Sequence, residues 1–305
     1  MVPGGAAQNT ARGAQYMLPP NSVVFLGCVG DDKYAATLRD GNDKVGLRVE
    51  YRIDPEAPTG RCAVLITGAH NENRSMVTDL GAANLYTLEH LKQPEVWALV
   101  EGARIYYVGG YHFTGKAKSL LALRVPRSGT TADSSGTLPV CTPAIMELAK
   151  EAAAKDKTFV LSLSAPFIPL AFKDAVATAF PYVDYVLGND SEAVAFAQAF
   201  GLGTEDHKEI AKHMANMPKE NSKQKRVAIV TRGTDTTLVA TQGEDEVKEY
   251  PVHVIDKADI KDTTGAGDAF AGGLCAGLLE GKTLGQSIDM GQWLARLTLS
   301  AVGPS

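Results

Sequence analysis

Nine consecutive residues, Asp262-Thr263-Thr264-Gly265-Ala266-Gly267-Asp268-Ala269-Phe270, set small, backbone-exposing residues directly before a carboxylate. Upstream, Lys248 to Ile255 reads as a short strand; downstream, Ala269 to Leu279 is an apolar run at helical spacing, so the glycines fall at a strand-to-helix junction. The first turn of a helix carries N–H groups with no partner inside the helix, and the macrodipole adds roughly half a positive charge there. A phosphate is stabilised at such a point. Gly265 and Gly267 let the backbone approach it with no Cβ in the way, and Asp268 stands at the mouth of the same turn, where a carboxylate can take a proton from an attacking hydroxyl. Anion cradle and proton acceptor together are the parts of phosphoryl transfer. The purely structural alternative is a glycine-rich turn capped by Asp268 and packed closely through Gly272 and Gly273.

The elements that must position this segment alternate along the chain. Ala6 to Met17 reads as a helix closed by Pro19-Pro20, and Val23 to Val29 as an apolar strand. Val45 to Ile53 and Cys62 to Thr67 are alternating or β-branched runs that precede a polar turn from His70 to Asn73. Then come a helix near Pro94 to Gly102, strand Ile105 to Val108, helix Thr142 to Ala154, strand Thr158 to Leu163, helix Pro169 to Phe180 and strand Tyr185 to Leu187. Helices Ser191 to Phe200 and Asp206 to Met217, a core strand Arg226 to Thr231, and the pair Thr236 to Thr241 and Val247 to Val254 follow. Strands separated by helices predict an α/β fold with a mostly parallel central sheet flanked by helices, whose ligands bind at the carboxyl ends of the strands.

With 305 residues, 45% of them hydrophobic, the chain can build one large domain with an excursion. The net charge of −5 is spread over mixed-sign segments, and the basic run Lys219 to Arg226 reads as a solvated loop, which argues against a nucleic-acid partner. Cys28, Cys62, Cys141 and Cys275 are far apart, form no CxxC pair and have apolar neighbours, the pattern of buried thiols in a reducing compartment. No signal-peptide pattern and no apolar run of membrane-spanning length is found; the expected location is cytoplasmic, with the nucleus as a further compartment, and the expected state a monomer. Gly277 to Thr283 imitates a Walker loop, but with three rather than four residues between its glycines, and Gly281 reads instead as a helix C-cap.

The nine-residue string resembles the C-terminal signature of the ribokinase-like (PfkB) sugar and nucleoside kinases. Six further segments resemble the branch of that family that phosphorylates adenosine: Gly4 to Asn9, Phe25 to Asp32, Pro58 to Ala63, Asn73-Arg74-Ser75, Leu163 to Phe167 and Gly188 to Ala193, in family order along almost the whole chain. The resemblance implies one ribokinase-like domain over 1–305 with a small β-rich lid at approximately 44–86. It implies transfer of phosphate from ATP, with Mg²⁺, to the 5′-hydroxyl of adenosine, yielding AMP in purine salvage. The alternatives are another nucleoside or sugar acceptor, or a non-catalytic nucleotide-binding relative or inactive fragment.

Residue by residue, the resemblance makes Asp268 the base, Gly265, Ala266 and Gly267 the amide cradle with Thr264 beside it, and Arg74 a charged fork over the γ-phosphate. Asn189 and Glu192 match an NxxE pair that gives Glu192 a water-mediated share of the Mg²⁺ shell, although the same two residues spell a plain capping box. Gly5 and Asn9 fall near the ribose, and Cys62, Met76, Leu80, His112 and Phe167 around the purine, with His112 where animal members carry an aromatic ring. Thr231 and Gly233 match a nucleotide-holding T-x-G, and Ser162 stands where many members have Asn. Two departures stand out. The family's first strand, with an aspartate for the ribose hydroxyls, is not matched, so the chain is expected to be truncated at both ends; and 115–140 interrupts the alternation as an expected non-family insertion, a natural surface loop being the alternative.

Overall fold

The computed structural model describes residues 2–67, 73–115, 142–221 and 224–301; the insertion expected at 115–140 (apart from Gly115), Cys141 and the polar turn expected from His70 to Asn73 (apart from Asn73) lie outside them. Helix α1 (Ala6–Met17) leads into strand β1 (Val24–Gly30), helix α2 (Lys33–Asp43) and strand β2 (Arg48–Asp54). α2 starts where Asp32 accepts hydrogen bonds from the amides of Tyr34 and Ala35, an N-cap that halts the strand and turns the chain. β1 and β2 pair in parallel, with Val24 opposite Arg48. Strands β3 (Arg61–Thr67) and β4 (Asn73–Asp79) form a separate antiparallel hairpin with Val64 opposite Met76, so the run from Val45 joins β1 rather than the hairpin.

The rest is α/β alternation: α3 (Leu88–Leu91), α4 (Pro94–Gly102), β5 (Ile105–Gly109), α5 (Thr142–Lys155), β6 (Thr158–Ser162), α6 (Phe167–Ala171), α7 (Lys173–Ala179), β7 (Tyr185–Asn189), α8 (Asp190–Phe200), α9 (His207–Asn216), β8 (Val227–Arg232), β9 (Asp235–Thr241), β10 (Lys248–Tyr250), α10 (Ala266–Leu279) and α11 (Leu284–Leu299). The six-stranded sheet runs β10-β9-β8-β7-β6-β5; its β5 to β8 part is parallel, and β9 and β10 add antiparallel. Parallel strands must be covered on both faces, and the core strands Phe159 to Leu161 and Ala228 to Val230 are accordingly apolar throughout and fully buried.

Three expectations need correction. The helix read from Pro169 to Phe180 is two helices, broken at Phe172 (φ −121°, ψ 31°); the first begins at Phe167, so that Pro169 sits in its opening turn, where a missing N–H costs nothing. Cys62 is exposed, because the hairpin lays no second layer over that face, whereas Cys28 and Cys275 are buried as expected. The ends of the basic run are not solvated: the Lys219 side chain is 2% exposed and its ammonium pairs at 2.6 Å with Asp184, and Arg226 is 0% exposed, its guanidinium donating to the carbonyls of Phe180, Val183, Met214, Met217 and Pro218. A long charged side chain can be interred when backbone acceptors saturate it.

β1 and β5 do not pair with each other. Between them, roofed by α1, lies a mainly apolar cavity of about 430 Å³ lined by Val24, Phe25 and Leu26 on one side and Ile105 to Val108 on the other.

Candidate active site

α10 is the scaffold of the site, and its small residues decide what it touches. A Cβ added at Gly272 would stand 2.7 Å from the carbonyl oxygen of Thr10 and 2.8 Å from the amide of Ala14, so the backbones of α10 and α1 meet directly. On the other side Gly273 and Gly291 bring α10 and α11 equally close. This packing seats the first turns of α1 and α10 side by side, and there the Asn9 amide donates to Asp268 Oδ2 at 2.9 Å, across 259 residues of sequence. The expectation that Asp268 could be a mere cap is not met: no side chain caps α10, whose N-cap is Gly265 in the left-handed region (φ 85°).

The amides ahead of Asp268 are partly open. Ala266 N–H makes a long 3.4 Å bond to Thr263 O and Thr264 N–H donates to Asp262 at 2.9 Å, while the Gly265 and Gly267 amides have no hydrogen-bond acceptor among the described residues. Gly267 is exposed, so the turn opens to solvent with its N–H groups at a helix start. Of the three expected cradle amides, Ala266 is thus the one already engaged.

Two carboxyls face this opening. Burial pushes Asp268 up to about 7, against smaller downward pulls from the Asn9 bond and the Arg12 charge. Glu192 is likewise pushed up to about 7, first by burial and then by the Asp268 and Asp190 charges, while the Asn189 backbone bond pulls it down. Glu192 and Asn189 form the capping box of α8: Asn189 Oδ1 accepts from Glu192 N at 2.8 Å, and the carboxylate accepts from Asn189 N at 3.0 Å and Nδ2 at 3.1 Å. The box is therefore real, and it leaves Glu192 electrostatically coupled to Asp268.

Asn189 is opposite Thr231 in the β7–β8 register, so Asn189, Glu192, Thr231 and Gly233 (φ 60°) share the carboxyl edge of the parallel strands. Gly5 (φ 105°) is the N-cap of α1, one turn before Asn9. The turn Gly110–Thr114 after β5 carries His112, whose Nδ1 donates to Gly109 O at 3.0 Å; with that proton assigned, and burial holding its pKa below the ordinary value, Nε2 is left as an acceptor. Next to it Ser164, at φ 65°, accepts from Gly110 N–H at 2.8 Å, and this strained residue turns the chain into α6 so that Phe167 comes within 6.1 Å of the Tyr111 ring. Phe167 is 47% exposed and Met76 61% exposed, which leaves apolar surface facing outwards at the site. On the hairpin, Cys62 Sγ accepts from Thr78 Oγ1 at 3.1 Å and acts electrostatically on Tyr111, while Leu80 closes the hairpin base against Gly60. Residue 74 lies on β4 opposite Ile66, and its side chain lies outside the description.

Sequence reasoning missed Arg12, Tyr107 and Tyr111. Arg12 Nη2 donates to Asn9 Oδ1 at 2.8 Å; Tyr107, on β5, interacts electrostatically with Thr10, Ser162 and Asp268; and Tyr111 stands among Asp268, Glu192 and Cys62. Only Arg12 carried a signal, a basic residue three positions after Asn9 on one helix face.

The pfkB family carbohydrate kinase model matches residues 1–305. The chain is 44% identical over 308 residues to adenosine kinase of Saccharomyces cerevisiae (100% of this chain, 80% of the relative) and 41% identical over 300 residues to that of Schizosaccharomyces pombe (98% and 80%). Among solved structures it is similar to Anopheles gambiae adenosine kinase in complex with P1,P4-di(adenosine-5) tetraphosphate (40% identity, TM-score 0.87, covering 98% of this chain and 80% of that one). It is also similar to Schistosoma mansoni adenosine kinase in complex with 2-fluoroadenosine (31%, 0.86, 99% and 80%). The chain belongs to the pfkB family of carbohydrate kinases, with its ribokinase-like fold.

Proposed function

We propose that the chain is an ATP-dependent adenosine kinase that transfers the γ-phosphoryl group to the 5′-hydroxyl and forms AMP for purine salvage. The observation that carries this reading is the partly buried Asp268, held by Asn9 at the start of α10 directly after the open amides of Gly265 and Gly267. The relatives' names supply the acceptor: the curated proteins at 41% and 44% identity are adenosine kinases. Asp268 takes the proton from the hydroxyl as its oxygen attacks phosphorus, and the amides together with Thr264 receive the charge that spreads over the transferred group. Arg74 on β4 adds a planar cation from the hairpin, which with its flanks at 44–86 acts as the lid. Gly5 and Asn9 hold the ribose; Cys62, Met76, Leu80, His112 and Phe167 enclose the purine; Asn189, Thr231 and Gly233 hold the nucleotide at the strand ends.

Mg²⁺ fits this site as a guest of the phosphates. Among the described residues no group of three or more His, Cys, Asp or Glu could cage a metal, while Glu192 offers one buried carboxyl that a nearby dication would ionise. Mg²⁺ retains most of its waters, so one carboxylate and the nucleotide's phosphates are sufficient; when bound, it neutralises phosphate charge. The test is to incubate the purified protein with ATP and Mg²⁺ and, separately, adenosine, inosine, ribose and fructose. AMP formation with strong preference for adenosine is expected. Saturable adenosine binding without turnover overturns the catalytic reading, and preferential turnover of a sugar overturns the acceptor.

A further inference from the structure

Asparagine is ambidextrous: its amide oxygen and nitrogen are nearly isosteric, and only one orientation helps a carboxylate. With Nδ2 toward Asp268 it donates; rotated, Oδ1 would face the carboxylate and repel it. Nothing in the Asn9–Asp268 pair itself excludes rotation when Asp268 is protonated, because a carboxylic acid O–H could donate to Oδ1.

Arg12 breaks that symmetry. Its guanidinium carries donors only, so its Nη2, 2.8 Å from Asn9, can be satisfied by the oxygen alone. The same Nη2 donates to Pro3 O at 3.0 Å, which anchors the arginine to the segment ahead of α1. Asn9 and Arg12 are three apart on α1 and therefore on one face, the face that α10 reaches. The titratable groups that face Asp268 from the other packed elements, and on which its charge acts, are Tyr107 on β5, Tyr111 in the turn after it and Glu192 on α8. Two of these are neutral phenols and the third is a carboxyl of like sign, so Arg12 is the cation acting on Asp268 among the described residues. Burial lowers the arginine's own pKa, yet a guanidinium remains charged at neutral pH.

We propose that Arg12 is a positioning residue for phosphoryl transfer: by engaging Asn9 Oδ1 it locks the asparagine with its amide toward Asp268, and its charge favours the ionised, proton-accepting carboxylate. The proposal rests on the assignment of Asp268 as the base. Its test is the pH dependence of kcat/KM for wild type, R12M, R12Q and R12K, with adenosine binding measured calorimetrically. In R12M and R12Q the acidic limb is expected to move up by about half a unit or more. Their kcat should fall by about tenfold, as for a misplaced reacting group. Adenosine affinity should stay within a few-fold, and R12K should keep the limb near the wild-type position. An unmoved limb in R12Q, whatever its kcat, overturns the proposal, as does a shift in R12K as large as in R12Q. If R12M does not fold by circular dichroism, R12Q and R12K decide alone. Asp268→Asn measured alongside separates the two levels: wild-type turnover in it overturns the base assignment, whereas an inactive Asp268→Asn with an unmoved R12Q limb overturns the role of Arg12 only.

Discussion

Burial pushes Asp268 and Glu192 each up to about 7, and the Asp268 charge adds to the rise of Glu192. A base must be ionised to work, so kcat/KM is expected to fall as pH drops through about 7. Glu192→Gln, which removes a like charge, should displace the limb to lower pH, and an unmoved limb would count against the coupling; a wild-type limb near pH 4 to 5 would count against the rise that burial causes. Asp268→Asn should lower kcat by about a hundredfold or more while nucleotide binding persists, as isothermal calorimetry would show. Stability moves the other way. The folded carboxyl sits above its unfolded value of ~3.9, so its contribution is complete below that value and is lost as pH rises through about 7. Asp268→Asn, which cannot ionise, should therefore raise Tm at pH 8 relative to wild type and gain less at pH 5, as a pair of calorimetric scans would reveal.

A base of this kind is useful only if two helices from opposite ends of the chain stay in register. α1 and α10 do so because Gly272 lets backbone meet backbone; even an alanine Cβ there would lie 2.7 to 2.8 Å from atoms of Thr10 and Ala14, which cannot swing aside as a side-chain tip could. Gly272→Ala should thus separate the helices, at about 1–3 kcal/mol, and stretch the Asn9–Asp268 bond. Both Tm and kcat are expected to fall, whereas Gly102→Ala, at the end of α4 with nothing within 4 Å of the added Cβ, should leave both unchanged. Equal behaviour of the two variants would mean that the close approach is dispensable. The same pair of helices shows what was legible in the sequence. The bounds of α1 and the Asn189–Glu192 capping box are written in neighbouring residues, and the structure has them where local chemistry predicts, whereas the strand expected to run from Lys248 to Ile255 ends at Tyr250, well ahead of the Gly265 turn, and α10 starts at Ala266 rather than Ala269. The Asn9–Asp268 bond and the Arg12 contact behind it depend on tertiary packing, which spacing along the chain does not encode.

At the scale of the whole molecule the lesson is about charge. The run from Lys219 to Arg226 looks like a solvated loop because burying cations is expensive, and composition carries no sign of the acceptors that offset that cost. Those acceptors are carbonyls at helix ends and connections: Met214 near the end of α9, Met217 and Pro218 just past it, and Phe180 and Val183 between α7 and β7. Arg226 gathers them at the amino end of β8 and stacks 4.6 Å over the Phe180 ring, tying α7, α9, β7 and β8 into one block. The proposed nucleotide-holding residues Asn189 and Thr231 stand at the carboxyl end of the same sheet, roughly 20 Å away along a six-residue strand. Fold and chemistry should therefore separate cleanly. Arg226→Met removes the guanidinium from five carbonyls, of which only Phe180 O keeps a second donor among the described residues, Val183 N–H, and is expected to destabilise the protein by about 3–5 kcal/mol in urea titrations, the scale of a broken buried charge network. Its neighbour Lys225→Met, which loses only an exposed 3.4 Å pair with Glu244, should change stability by less than about 1 kcal/mol. The folded fraction of Arg226→Met, assayed at low temperature, should keep wild-type kcat; a specific loss of kcat with intact folding would show that the amino end of the sheet communicates with the site.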